Sequence, residues 1–195
     1  VVLGSNGRAY SVPVSNLPGG RGDGQPVTTL IDLEAGTQPA HYVAGAADAT
    51  LLLSNSGGYG LLARAADLHA RQRGGKAFLA VEAGEVVLAP AVVAAGHAKV
   101  GCLAADGRLL VFGLDELKLQ PNGGRGLTLM DVDAKAPLAG VATFAGALAV
   151  HGSGRGGKVK DEVLRPAALA AYEGRRARKG RKVEGFVKVA RVAPA

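Results

Sequence analysis

"PNGGRGLTLMDV", residues 121–132, sets one arginine among small, flexible residues and runs directly into an apolar segment. Alone, such a stretch is compatible with a hairpin loop, an anion-binding loop or an ordinary connection. Its recurrence decides more. Arg21, Arg73, Arg125 and Arg178 lie 52, 52 and 53 positions apart, in the contexts "PGGRGDGQPV", "ARQRGGKAFLAV", "NGGRGLTLMDV" and "RRARKGRKVEGF". Each is a Gly/basic loop. The first three run straight into an apolar segment with alternation, and the fourth reaches one at "GFVKVARV".

Other landmarks keep the same period. Leu17, Leu68, Leu117 and Leu169 fall 51, 49 and 52 apart, each a few residues before its loop. Tight turns "SNGRAY", "NSGGYG" and "ADGRLL" pivot on Gly7, Gly58 and Gly107, with "GSGRGGK" in the fourth place. Small-residue turns "YVAG", "VAAG" and "TFAG" end at Gly45, Gly96 and Gly146. The agreement of independent landmarks establishes a repeat of about fifty residues.

Within a unit the local signals are those of strands. "ATLLLSNSGGYGLLA" and "KVGCLAADGRLLVF" each read as strand, Gly-containing hairpin turn, strand. "AFLAVEAGEVVLA" reads as two further strands about a Gly turn, which makes about four strands per unit. The Leu landmarks read as short corners. Residues 161–173, "DEVLRPAALAAYE", have helical propensity, but Pro166 and the repeat register favour a corner with at most one helical turn. One four-stranded sheet cannot cover its own apolar face, so such units are expected as blades about an axis. The Kelch pattern of paired glycines followed by Tyr and Trp is absent, as is the WD dipeptide, and the chain has no Trp. The first unit begins in what would be an inner strand, and exchange of a strand between neighbours or between the two ends would protect sheet edges.

The composition agrees. The 195 residues include 30 glycines and eight Tyr or Phe, which points to many turns and away from a helical bundle. They read as one all-β domain, residues 1–195. Lone Cys102 excludes an internal disulfide, suits a reducing, cytoplasmic compartment and reads as a small core residue. Apolar stretches such as 86–100 are broken by Pro, Gly and His, and no membrane partner is expected. Val1-Val2-Leu3 has neither an initiator Met nor a basic n-region, so the chain reads as an excised fragment. Charge is unevenly distributed. Residues 151–195 carry 12 Lys/Arg against 4 Asp/Glu, a balance of +8, whereas residues 1–150 carry 11 against 12, a balance of −1. A basic final quarter is the footprint of a polyanion partner, or else a solubilising face.

The repeat, with "GGRGDGQPVTTLIDLEAG" (19–36) in one unit and "RQRGGKAFLAV" (71–81) in the next, resembles the C-terminal domain of bacterial type IIA topoisomerase A subunits. The resemblance covers the whole chain and implies a β-pinwheel: propeller-like, with strand-swapped four-stranded blades and a DNA-binding outer rim. Its gyrase branch carries a box of the form Gln-Arg-Arg-Gly-Gly-Lys-Gly that supports tight DNA wrapping. The nearest segment here is Gln72-Arg73-Gly74-Gly75-Lys76-Ala77, one arginine short, ending in Ala, and placed in the second unit. This degenerate box looks like the topoisomerase IV branch, with gyrase as the alternative. The resemblance further implies duplex DNA as partner, together with the parent enzyme's ATPase B subunit, plus a second copy of its A subunit. It implies no cofactor in this domain, with ATP and magnesium acting on other parts, and no catalytic residue, the family's reactive tyrosine lying in a separate N-terminal region. A propeller-like protein-interaction module is the reading from another class.

Physically, glycine lets a backbone approach a phosphate closely, and a neighbouring Arg or Lys supplies charge. Four such loops around a rim would track a bent duplex by its backbone, without reading sequence. Neutralising roughly 6–8 phosphates would give a salt dependence near −0.9 per contact. The candidate phosphate contacts are Arg21, Arg73, Lys76, Arg125, Arg155, Lys158, Arg175, Arg176, Arg178, Lys179, Arg181 and Lys182, and the last six place six basic residues in eight positions. The fourth loop is expected to dominate, Arg125 to be secondary, and bending to be limited. "GSGRGGKV" (152–159) mimics a phosphate-binding P-loop, but Val159 stands where Ser or Thr should hold magnesium, so a hairpin turn is expected. Arg21-Gly22-Asp23 spells an integrin-type tripeptide by coincidence. His41, His69, His97 and His151 show no ligand-like spacing, so no metal site is expected.

Overall fold

The computed structural model describes residues 1–20 and 22–195. The first unit contributes β1 (Val2–Gly4), β2 (Arg8–Tyr10) and β3 (Pro39–Tyr42), and the second β4 (Thr50–Ser54), β5 (Tyr59–Arg64), β6 (Lys76–Ala77) and β7 (Ala91–Val93). The third unit contributes β8 (Lys99–Ala104), β9 (Arg108–Gly113), β10 (Leu127–Thr128) and β11 (Leu138–Phe144). The fourth contributes β12 (Leu148–Ser153), β13 (Val159–Leu164), β14 (Arg181–Lys182) and β15 (Lys188–Pro194).

These strands form four antiparallel sheets, in the orders β3-β1-β2-β6, β10-β5-β4-β7, β11-β8-β9-β14 and β13-β12-β15. Strand exchange is therefore systematic. The short strand after the second Gly/basic loop joins the first unit's sheet, that after the third joins the second, and that after the fourth joins the third. The fold is the expected all-β pinwheel of swapped blades, with one departure: the fourth sheet has three strands. In the first unit, the segment after the loop forms a 3₁₀ turn at Val27–Thr29 in place of a strand. Pro26 stands immediately before it, and among the described residues no further sheet lies on that side to receive it.

Period-2 geometry explains the core. In the second sheet Leu51, Leu53, Leu61 and Ala63 pack toward the first sheet, while Leu52 and Leu62 pack toward the third. In the third sheet Val100, Cys102, Leu110 and Phe112 face the second, and Leu103, Leu109 and Val111 face the fourth. A sheet covered on both faces needs apolar residues at successive positions, which accounts for the runs "LLL" and "LLVF". Burial pushes the Cys102 thiol pKa up, consistent with a core role. The outer face of the first sheet is capped by Ile31 packed on Val2 and Tyr10. That of the fourth is open, with Val159 85% and Val163 50% exposed.

Leu68, Leu117 and Leu169 are buried between successive sheets at short corners, and residues 161–173 hold the end of β13, a helical turn at Pro166–Leu169 and a 3₁₀ turn at Ala170–Tyr172, one turn more than the single turn expected. Pro166 occupies the first position of its turn, where its missing N–H costs nothing. Leu17 breaks the pattern, 51% exposed, because among the described residues no neighbouring sheet covers it. "AFLAVEAGEVVLA" does not form two regular strands. Beyond β6 it pairs only through isolated bridges, Leu79 with Gly124 and Asn55 with Val87.

Candidate nucleic-acid interface

Each exchanged strand arrives on a glycine-containing arm: 71–79, 122–130 and 176–184. The receiving hairpin captures the arm by backbone hydrogen bonds. Leu79 N–H donates to the Gly7 carbonyl at 2.9 Å, Leu129 N–H to Gly58 at 2.7 Å and Val183 N–H to Gly107 at 3.0 Å. Immediately before each strand stands Gly75, Gly126 or Gly180, at φ +65°, +80° and +69°. A Cβ there would lie 2.6, 2.0 or 2.5 Å from the carbonyl oxygen of Ala9, Gly60 or Leu109. Positive φ and close backbone approach both require glycine.

The arms also run beside one another. Asp32 N–H donates to the Arg73 carbonyl at 3.0 Å, Ala80 N–H to Gly124 at 2.9 Å and Asp131 N–H to Arg178 at 3.1 Å. Arg73, Gly124 and Arg178 therefore share one structural position. This corrects the equivalence of Arg73 with Arg125 read from spacing: Arg125 lies one residue further on, level with Gly74 and Lys179. The backbone around it is bent, with Gly124 at φ +125° and Gly126 at φ +80° on either side.

Arg125 is accordingly turned onto its own protein. Its guanidinium sits 4.1 Å from the Tyr59 ring centroid and bonds Glu85 through Nη2 at 2.7 Å and Nη1 at 3.2 Å. Glu82 approaches Nη1 at 3.0 Å. Burial works against the Glu85 carboxylate, but the hydrogen bonds from Arg125 and from the Glu82 amide outweigh it and hold its pKa below the ordinary value. Arg73 donates to the Thr29 carbonyl at 2.9 Å and pairs with Asp32 at 3.2 Å. Lys76 lies 5.3 Å from the Phe78 ring centroid. Arg176 reaches the Thr128 carbonyl of the neighbouring arm at 3.1 Å.

The remaining candidates face solvent. Arg178, Lys179, Arg181 and Lys182 are exposed along the fourth arm, Arg175 just before it, and Arg155 and Lys158 at the tip of the β12–β13 hairpin. Among the described residues, none of these seven side chains enters an ion pair. The tip is a hairpin turn as expected, with Ser153 opposite Val159 and Gly154 N–H on the Lys158 carbonyl at 2.8 Å. Arg21 lies outside the described residues.

Two further residues, absent from the sequence-based candidates, have a structural claim on these arms. Arg8 donates to the carbonyls of Gly74 and Gly75, each at 3.0 Å, and pairs with Glu34 at 3.2 Å. Arg108 donates to the Lys179 carbonyl at 3.0 Å and to Asp106 at 2.8 Å. Both open the second strand of a receiving hairpin, and the shared Gly-Arg step of "SNGRAY" and "ADGRLL" was the available signal. By holding carbonyls, they fix the backbone of the arms.

No family model matches the chain. It is 35% identical over 181 residues to the DNA topoisomerase 4 A subunit of Neisseria gonorrhoeae, covering 90% of this chain and 23% of that protein. It is 29% identical over 200 residues to the corresponding protein of Escherichia coli K12, covering 98% of this chain and 26% of that protein. The chain thus spans about a quarter of the length of these relatives. The E. coli ParC C-terminal domain superposes with a TM-score of 0.86 at 26% identity, over 98% of this chain and 78% of that one. The DNA gyrase A C-terminal domain shares the fold, with a TM-score of 0.69 at 17% identity over 96% of this chain and 62% of that one. By sequence along nearly its whole length and by its pinwheel of exchanged strands, the chain belongs with the C-terminal domains of topoisomerase IV A subunits.

Proposed function

We propose that this domain binds duplex DNA through its phosphate backbone, with the fourth arm as the principal contact. Within a topoisomerase IV A subunit it positions the DNA segment to be transported and sets topology preference. Cleavage, religation and ATP hydrolysis belong to other parts of that assembly. There the parent protein joins an ATPase B subunit, plus a second copy of itself, in the bacterial cytoplasm at the nucleoid.

The observation that supports this reading is the fourth arm together with the residue leading into it: six basic residues in positions 175–182, five of them exposed. Exposed Arg and Lys beside glycines can meet phosphates with little desolvation cost, Arg as a fork and Lys as a point charge. Among the described residues no helix exceeds the four-residue turn Pro166–Leu169, so none stands by to enter a groove, and binding is governed by counterion release. Cations concentrated on one arm and one hairpin tip hold a duplex over a short arc. Bending DNA over a longer path costs on the order of 1–6 kcal/mol, which needs further engaged loops.

Titration of the domain with a fluorescent random-sequence duplex at increasing salt tests the proposal. Tight binding at low salt, falling steeply as salt rises and indifferent to sequence, is expected. No binding at low salt overturns it. Ligation of nicked circles around the bound domain should leave linking number unchanged; a shift would instead mark gyrase-like wrapping.

A further inference from the structure

The third arm, 122–130, contains one cation, Arg125, and that cation is occupied. We infer that Glu82 and Glu85 restrain DNA binding at this point of the rim by latching Arg125 onto Tyr59, which limits how much of the rim a duplex can engage. The inference rests on the DNA-binding reading above and adds the residues that set its extent.

Three features of the structure make the latch specific to this unit. Tyr59 occupies the strand-opening position held by Arg8 and Arg108 in the flanking hairpins. Those arginines reach the incoming arm's carbonyls; Tyr59 instead offers a π-face, on which the arm's own arginine stacks. The second feature is the bend between Gly124 and Gly126, at φ +125° and +80°, which sets Arg125 over that face. The third is a doubled acid. Glu82 corresponds to Glu34 in the first unit and Asp133 in the third, each accepting at its carbonyl the amide three residues on, but Glu85 corresponds to Thr37 and Ala136.

Glu85 is firmly set. Its side chain is 14% exposed, and it accepts the Glu82 amide at 2.9 Å while binding Arg125 through both oxygens. Two carboxylates around one guanidinium leave this stretch of rim with a net negative charge, so a phosphate passing it meets repulsion and no free donor. Removing both charges reverses each effect: Arg125, stacked but no longer paired, becomes a donor on a rim of one sign.

A double-mutant cycle on the whole domain tests this, with salt-dependent binding of a random-sequence duplex as the readout. Glu82→Gln/Glu85→Gln should bind more tightly, and its salt slope should steepen by about 0.9, one phosphate contact, which makes the gain over wild type grow about 3.5-fold between about 0.2 M and 0.05 M salt. Arg125→Gln in the wild-type background should leave the slope unmoved, and adding it to the double variant should return the slope to its wild-type value, leaving only the gain due to relieved repulsion. Glu82→Gln alone alters a side chain 70% exposed, is expected to fold normally and should give part of the gain.

An unmoved slope in the charge-removed variants overturns the inference, as does a wild-type slope that weakens with Arg125→Gln. Both results leave DNA binding by the domain standing. Failure of the wild-type domain to bind overturns the parent reading and this one together.

Discussion

The amide of Asp131 donates to the carbonyl of Arg178 at 3.1 Å, as Asp32 does to Arg73 and Ala80 to Gly124. These contacts fix the order of the arms and the register of the residues along them. Arg178 is exposed, Lys179 follows it outward, and Arg181 and Lys182 continue along β14. Charge reversal at Arg178, Lys179, Arg181 and Lys182 should therefore weaken duplex binding far more than neutralising Arg73, which already pairs with Asp32. Loss of four phosphate contacts would flatten the salt slope by about 3.6. Equal effects of the two variants, measured by anisotropy titration, would show that the fourth arm does not dominate.

Glycines that look alike in sequence should differ in cost. Gly180 and Gly156 both hold positive φ, +69° and +70°, but a Cβ at Gly180 would lie 2.5 Å from the Leu109 carbonyl, whereas at Gly156 nothing stands within 4 Å. Gly156→Ala should cost about 1–2 kcal/mol, the penalty of a left-handed residue. Gly180→Ala adds a backbone clash that can be relieved only by pushing β14 away from β9, so its cost should exceed that figure clearly. Urea denaturation of the two variants compares them directly.

Much of this architecture was legible because exchanged blades repeat the same demands at a fixed interval. A hairpin glycine, a buried corner leucine and a Gly/basic arm recur together since each serves the same junction. The register within an arm was not legible. Arg73 and Arg125 match in spacing, but backbone pairing aligns Arg73 with Gly124 and leaves Arg125 level with Gly74, beside Tyr59 and Glu85. The edges of the repeat were equally hidden. Val27–Thr29 becomes a 3₁₀ turn and Leu17 stays exposed because what shapes their counterparts is a neighbouring sheet, a tertiary partner that local sequence does not encode.

That dependence on a neighbouring sheet yields a paired test. Leu169 is fully buried between the third and fourth sheets, and Leu17 occupies the corresponding corner at 51% exposure. Leu169→Ala should cost about 2–5 kcal/mol by leaving a cavity. Leu17→Ala should change stability by no more than about 0.5 kcal/mol. A large loss at Leu17, read from urea midpoints, would mean that its corner packs against something in solution.

Arg108 is expected to matter for the arm without touching DNA. Its guanidinium ties the Lys179 carbonyl to Asp106, and its side chain is only 15% exposed. Arg108→Ala removes charge-assisted bonds worth about 1.5–3 kcal/mol each before compensation by water. Amide hydrogen exchange should then quicken at Arg181 and Val183, whose segment the arginine anchors, while the β4–β5 hairpin keeps its protection. Uniform acceleration would make the loss global and remove the local role.

The Glu85–Arg125 latch carries its own pH dependence, and its sign follows from the direction of the shift. The folded-state pKa of Glu85 is depressed below 4.5, so the pair contributes stability that is fully present above that value and is lost as pH falls through the depressed folded pKa. The stability gap between wild type and Glu85→Gln should accordingly be constant from about pH 7 to about 5.5 and close on acidification below 4.5. Because Gln cannot titrate, the variant's own curve isolates the contribution of every other carboxylate, Asp106 included. Thermal melts of both proteins across this range supply the comparison. A gap that shows no closure at all as the pH falls below 4.5 would mean that Glu85 stabilises by packing on Gly57 and not by its charge, and the latch would then rest on Glu82 alone.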